Sequence, residues 1–273
     1  MKIKIKCPAK INLTLKIINK REDGFHNIES IMQTIDLYDY LTINAEPADS
    51  FEILLSGNNK EIPYNEKNLV YKAVKLFFQS VKLSPQKISI YIDKNIPVSA
   101  GLAGGSTNAA GTLFGLNELF YRPLTIHELH TLCAQLGSDL NVCLQGGKLL
   151  SKGRGEIIEP LEFEKFDVSL IKPQNLGISA KEAYTKYAEK NIHPLTTFPK
   201  GRENEYFLND LEWAIIDDYK ELQKIKELYP DSMMTGSGST YFRIGGKFEP
   251  LDGYEIFNNH KSINHGVEKA PLV

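Results

Sequence analysis

Three glycines, Gly101, Gly104 and Gly105, followed at once by Ser106 and Thr107, break an otherwise regular pattern. Before them Ile88, Ile90 and Ile92 alternate with polar residues, the period of a half-buried strand. After them, Asn108 through Phe120 has the apolar spacing of a helix. A strand that turns through glycines into a helix aims several backbone N–H groups one way. The helix dipole adds partial positive charge at the same spot, so the turn suits an anion, best the phosphates of a nucleotide. Glycine suits such a turn because a Cβ would block close approach of a phosphate and because parts of it call for positive φ. Ser106 and Thr107 add hydroxyls for a phosphate oxygen or a metal ion. The same stretch also reads as a plain connection with a Ser/Thr helix cap. It is not a Walker A loop, since Gly147-Lys148 and Gly246-Lys247 are followed by Leu149 and Phe248. Nor does it have the glycine spacing of a dinucleotide fingerprint.

The 273 residues suit one large domain or two modest ones. A net charge of −2 speaks against general nucleic-acid binding. No apolar run approaches a membrane span, and the alternating start Met1-Lys-Ile-Lys-Ile-Lys6 reads as a strand, not a signal peptide. Cys7, Cys133 and Cys143 are too few and too scattered for a disulfide framework or a zinc site. A cytoplasmic protein is expected, with no membrane, nucleic-acid or protein partner implied.

Residues 2–6 and 11–18 alternate as two strand pieces, with Pro8 interrupting them. Lys20 to His26 is a charged turn with Asp23-Gly24 at its tip. Further strands are expected at Leu41–Ala45, Phe51–Leu55 and 87–93, and a helix over 67–82. Thr125-Ile-His-Glu128 is a capping box for a helix ending at Gly137. Asn141–Leu144 and Lys148–Leu150 read as strands around Gly146-Gly147. Past Pro160 the pattern restarts: a strand at Phe166–Ile171, a helix capped by Ser179 to Glu182, a loop over 191–202, and helices at 204–216 and 218–229. A second glycine-serine turn over 231–240 precedes a strand at Tyr241–Ile244, and Tyr254–Lys269 holds an edge strand. Strands followed by helices in each half give an α+β class.

Three separated segments match one family. Pro8-Ala-Lys-Ile-Asn-Leu13 resembles its N-terminal motif, Pro97 to Ala110 its nucleotide loop, and Met234 to Thr240 its C-terminal glycine motif. On these the chain resembles the GHMP kinase superfamily of small-molecule kinases. The strings Ala9 to Leu13, Arg21 to His26, Asp36-Leu-Tyr-Asp39 and Leu136-Gly-Ser-Asp-Leu140 narrow the resemblance to the branch whose acceptor is a cytidine-diphosphate-linked methylerythritol. The resemblance runs almost end to end, and several motifs in the right order make a chance match remote. It implies a two-lobed α+β fold, ribosomal-protein-S5-like over residues 1–160 and ferredoxin-like over 161–273, with the active site between. It also implies phosphorylation of the acceptor's C2 hydroxyl in non-mevalonate isoprenoid synthesis, with ATP as donor and Mg²⁺ beside it.

The resemblance assigns Asp139 to the acceptor hydroxyl and Lys10 to holding that carboxylate ionised and stabilising the transferring group. On residue pattern alone, Asp139 is equally a turn or N-cap residue and Lys10 a solvated strand lysine. Pro97, Val98, Ser99, Ala100, Gly101, Leu102, Ala103, Gly104, Gly105, Ser106 and Thr107 are implied to hold ATP. Phe25 takes the position of a base-stacking ring and His26 that of a base-edge reader, although Asp23-Gly24 alone explains a turn there. Tyr184 is either the opposite ring or a core aromatic. Asn12 follows Lys10 on the same strand, and Gly236-Ser237 is a second phosphate cradle or a tight turn. Ser106 and Asp139 are the implied metal contacts. Asn141-Val-Cys143 stands where the family carries Pro and Phe, and Thr107 where Ser is commoner. Acceptors such as mevalonate, homoserine or a sugar fit less well, since a substrate without a base has no use for Phe25 and His26. Intact Lys10 and Asp139 speak against a non-catalytic nucleotide sensor.

Overall fold

The computed structural model describes residues 1–190 and 208–272. The first elements are β1 (Lys2–Asn12), β2 (Lys16–Lys20), β3 (His26–Pro47), β4 (Glu52–Gly57), α1 (Leu69–Ser80), β5 (Gln86–Asp93) and α2 (Gly104–Leu119). Then come α3 (Ile126–Leu136), α4 (Leu140–Gln145), β6 (Lys148–Gly153), β7 (Ile157–Pro160), β8 (Asp167–Pro173) and α5 (Ala180–Lys190). After the undescribed stretch follow α6 (Asp210–Ile215), α7 (Lys220–Leu228), β9 (Met233–Met234), β10 (Tyr241–Ile244), β11 (Tyr254–Lys261) and β12 (Glu268–Ala270).

An eight-stranded sheet is organised on β3, whose 22 residues are long enough to pair with β1 and β5 at one end and with β2 and β6 at the other. The expected strand at Leu41–Ala45 is the last part of this long strand. Pro8 does not interrupt β1. It lies where the register with β3 shifts, between Pro8 and Ala9, and that irregularity accommodates a residue with no N–H for the ladder. The second sheet is antiparallel, in the order β11-β8-β10-β9, with β11 at its edge as expected. The chain then returns: β12 pairs with β1 in the first sheet.

Helix α2 packs against that first sheet. Its Gly111 and Gly115 lie one turn apart on the face that meets β1 and β3, and a Cβ on Gly115 would stand 2.7 Å from Ile43 Cδ1. Their smallness lets the helix approach the strands closely. This fixes the helix start, and therefore the glycine turn, relative to β1. Ile17, Ile28 and Met32 of the first sheet, with Leu15 just before β2, share one buried cluster with Ile171, Leu211 and Tyr241 of the second half. Apolar burial of this kind, at about 25 cal/mol per Å², joins the two sheets across a common core.

Two further expectations are corrected. Asn141–Leu144 is helical, within α4, and not a strand. Four apolar-rich residues are too few to separate the two periods, and the Asn141 side chain, which donates to Glu156 O at 2.7 Å, makes a bond no ladder would use. Helix α2 begins at Gly104, four residues earlier than its apolar spacing suggested. The capping box at Thr125 and Glu128 is present as expected, with Gly137 closing α3. The expected loop over 191–202 lies outside the described residues, as does the start of the helix expected over 204–216.

Candidate active site

The glycine turn owes its shape to left-handed backbone at three residues: Ser99 (φ 51°), Gly101 (φ 74°) and Ala103 (φ 58°). Ala103 is the N-cap of α2, and no side chain caps the helix. The Ser/Thr cap of the plain-connector reading is therefore absent, and the first N–H groups of a sixteen-residue helix face the cleft. Residues 97–106 line that cleft, of ≈ 1110 Å³; Thr107 does not. The Thr107 side chain is fully buried beside Cys143, which leaves Ser106 as the hydroxyl at the cleft wall.

The glycines serve different purposes. A Cβ on Gly101 would run into the Thr235 carbonyl oxygen, so its role is to let the second glycine turn pack against the first. On Gly104 it would stand 2.6 Å from Lys94 Nζ. Only Gly105 is sterically open, its nearest neighbour being Leu69 Cδ1 at 3.9 Å.

Lys10 and Asp139 meet at the floor. Lys10 Nζ stands 3.3 Å from Asp139 Oδ2 and donates to Asn12 Oδ1 at 2.6 Å and to Gly101 O at 3.0 Å. These two hydrogen bonds and the ion pair fix a side chain only 3% exposed. Asn12 is buried too; its Nδ2 donates to Ser30 Oγ at 2.8 Å, so its amide is a buttress for Lys10. Asp139 occupies the N-cap position of α4, yet its carboxylate caps nothing. It turns instead to Lys10 and remains 28% exposed toward the cleft. A capping aspartate would instead accept from the N–H groups of the next turn.

The second glycine turn closes the floor. Asn12 N donates to Thr235 Oγ1 at 2.9 Å, and a Cβ on Gly236 (φ 55°) would stand 3.3 Å from Lys10 Nζ. Asn209, which no sequence motif marked, donates to Met234 O and Gly236 O, each at 2.8 Å, and so sets this turn. Ser237 lies at the rim and donates to Ile178 O at 3.5 Å.

At the far end of the cleft, Phe25 sits half exposed on the β2–β3 hairpin, with the Arg154 guanidinium 5.1 Å from its ring centroid. The His26 ring is stacked on Tyr184, centroids 5.0 Å apart and planes 17° from parallel. Tyr184 lines the same cleft, and its ring partner is His26, not Phe25. Desolvation, then the Lys20 charge, lowers the His26 pKa and favours the neutral ring. Burial, aided by the Asp139 and Asp210 carboxylates, pushes the Tyr184 phenol up, so it stays protonated. Arg154 and Lys94, both at the cleft wall, were missed by sequence reasoning. Neither lies in a recognisable motif, and each reaches the site only through the fold.

Among the described residues, no three His, Cys, Asp or Glu side chains gather as a metal cluster. Ser106 and Asp139 both line the cleft, and two such oxygens suit a magnesium ion carried mainly by nucleotide phosphates. Among the described residues no helix is long and apolar enough to cross a membrane.

Comparison with known proteins agrees with this geometry. Residues 68–147, which span α1 to the end of α4, match the family described as GHMP kinases N terminal domain. The 4-diphosphocytidyl-2-C-methyl-D-erythritol kinase of Caldanaerobacter subterraneus subsp. tengcongensis is 38% identical over 98% of this chain and 99% of its own length. A crystal structure of 4-(cytidine 5'-diphospho)-2C-methyl-D-erythritol kinase superposes with a TM-score of 0.75 at 25% identity, covering 96% of this chain and 99% of that one. Homoserine kinase from Cytophaga hutchinsonii shares the fold, with a TM-score of 0.69 at 15% identity over 98% of this chain and 97% of its own. The chain has the two-lobed α+β fold of the GHMP kinases and belongs to their 4-diphosphocytidyl-2-C-methyl-D-erythritol kinase family.

Proposed function

We propose that this chain transfers the γ-phosphoryl group of ATP to the C2 hydroxyl of 4-diphosphocytidyl-2-C-methyl-D-erythritol, with Asp139 and Lys10 at the reacting centre. The observation that carries the assignment of roles is the uncapped Asp139 carboxylate held 3.3 Å from Lys10 Nζ at the cleft floor. Phosphoryl transfer asks the protein mainly for positioning and charge stabilisation. Asp139 accepts the hydroxyl hydrogen and orients the acceptor oxygen for in-line attack. The adjacent ammonium keeps that carboxylate ionised and offsets charge on the transferring group. The uncapped start of α2 and residues 97–106 take the triphosphate, with Gly236 and Ser237 facing it from the other side. Thr107 serves through its place in the helix turn. Phe25, His26 and Tyr184 hold the cytosine, the neutral imidazole reading its edge, while Asn12 keeps Lys10 in place.

Magnesium bound on the phosphates, beside Ser106, would neutralise charge on the β- and γ-oxygens. The two lobes we assign are residues 1–160 and 161–273, with the cleft between them; β12 crosses back to the first sheet. A cytoplasmic setting with small molecules as the only partners completes the reading. The test is ADP release with the cytidine-linked acceptor against mevalonate, homoserine and galactose. Turnover should require the cytidine-linked acceptor, and equal turnover with any of the others would overturn the substrate assignment.

A further inference from the structure

The string Asp36-Leu-Tyr-Asp39 has so far received no role. Its last residue lies in β3 and is fully buried. Asp39 Oδ1 accepts from the backbone N–H groups of Asn95 at 2.7 Å and Ile96 at 2.8 Å. Asp39 Oδ2 accepts from Lys94 Nζ at 2.8 Å and from Asn108 Nδ2 at 2.9 Å. A carboxylate offers about four lone-pair sites, and all four are filled. The four donors come from two places only: the segment that leads out of β5 into the glycine turn, and the second turn of α2. One carboxylate therefore grips both ends of residues 97–107.

Lys94 is the cationic half of the grip. Its side chain is 3% exposed, and it donates to Ile96 O as well as to Asp39. Among the described residues those are its hydrogen-bond acceptors, which leaves a third N–H. The ammonium lies where a Cβ of Gly104 would come, directly under the first residue of α2, and it lines the cleft. Burial pulls its pKa down while the Asp39 charge pulls the other way. A cation in this position acts on the same anion as the helix start, across a poorly solvated gap where screening by salt is weak.

We propose that Asp39 and Lys94 are positioning residues of the nucleotide site: Asp39 sets the glycine turn against the start of α2, and Lys94 places a fixed positive charge beneath the bound triphosphate. This rests on residues 97–106 being the ATP loop. It goes beyond that loop in assigning part of the phosphate affinity to a buried ion pair anchored on a different strand.

The experiment compares wild type, Lys94→Met, Lys94→Gln and the double variant Asp39→Asn/Lys94→Met. Dissociation constants for ATP and adenosine, KM for the acceptor and Tm are measured for each. Loss of the buried charge should raise the ATP dissociation constant by about tenfold, the size of an ionic interaction at a partly buried site. Adenosine binding and acceptor KM should change far less. Lys94→Gln keeps a donor for Asp39, so it covers the case in which Lys94→Met does not fold. The double variant should recover Tm relative to Lys94→Met, because no unpaired carboxylate remains buried, while ATP affinity stays low. Wild-type ATP affinity in both Lys94 variants overturns the proposal. So does a double variant in which ATP affinity returns together with Tm, or equal losses for ATP and adenosine, since either makes the pair structural only. If wild-type protein itself binds no ATP, the loop assignment falls, and the inference with it.

Discussion

The Thr235 hydroxyl donates to the Gly101 carbonyl oxygen at 3.3 Å, and the Lys10 ammonium donates to the same oxygen at 3.0 Å. Two glycine turns far apart in the chain thus meet Lys10 at one acceptor. Gly101 also needs its positive φ, and any Cβ on it would strike Thr235. The first glycine of the loop is therefore a joint between turns.

This separates Gly101 from Gly105. Gly101→Ala should cost more than about 2 kcal/mol, from left-handed backbone and backbone overlap together. At about 2–4 °C per kcal/mol for a chain of this size, Tm should fall by several degrees, with activity lost alongside. Gly105→Ala meets no obstacle and gains helix propensity of up to about 1 kcal/mol, so Tm should hold or rise. Its new methyl group should still raise KM for ATP. Melting curves beside ATP titrations decide the matter, and a Gly105→Ala protein with normal ATP affinity would move the phosphates off this turn.

Asp139→Asn keeps size and removes charge. The carboxylate is not a cap, so the helix should not notice the change. Turnover should drop by at least about a hundredfold, the low end of general acid–base contributions, with ATP affinity and Tm near wild type. Steady-state kinetics with an ATP binding isotherm suffice; near-normal kcat would remove Asp139 from the mechanism.

What could be read in advance was local. The glycine turn, the capping box at Thr125 and the hairpin tip at Asp23-Gly24 each depend on residues within a few positions of one another. The helical state of Asn141–Leu144 was not legible, because an apolar stretch that short fits either period until its packing is known. Pro8 looked like a break because a proline usually is one; the bulge that absorbs it is a property of the pair β1–β3. Lys10 and Asp139 were marked as site residues only by motif. Their contact depends on how β1 and α4 pack. Lys94 and Arg154 gave no sign at all, since a lysine at a strand end and an arginine in a turn are ordinary until Asp39 and Phe25 are placed beside them.

His26 should titrate below the ordinary histidine value, because burial and then Lys20 both disfavour its cation. The sign follows: with the folded pKa depressed, the neutral ring's contribution is complete above the unfolded value of about 6.5 and is lost as pH falls through it toward the folded pKa. Acceptor affinity, a property of the folded protein, should weaken only as pH falls through the depressed folded pKa itself, while ATP affinity should not follow it. An NMR titration of the ring, with acceptor KM against pH for wild type and His26→Gln, reads both. A His26 pKa at or above the ordinary value would contradict the assignment of a neutral base reader.

Phe25 makes the sharpest case for this acceptor over those of other GHMP kinases. It sits at a hairpin tip, 51% exposed, so Phe25→Ala should leave Tm within a degree or two. Stacking of a base on an aromatic ring is worth about 1–3 kcal/mol, which predicts a loss of roughly 5- to 150-fold in kcat/KM for the cytidine-linked acceptor. KM should take most of it, with some in kcat, because remote binding energy also positions the reacting oxygen. KM for ATP should stay within about twofold, since the ring belongs to the β2–β3 hairpin and not to the glycine turn. Phe25→Tyr keeps the ring and should be nearly neutral. Arg154→Ala removes the guanidinium that holds the ring, a cation–π contact of about 0.5–1 kcal/mol at an exposed site, and should raise acceptor KM about two- to fivefold. Varying each substrate in turn gives all four numbers. If Phe25→Ala and Arg154→Ala both leave the acceptor KM and kcat untouched, the base is held elsewhere, and the turn from Arg21 to His26 no longer distinguishes this acceptor from one without a base.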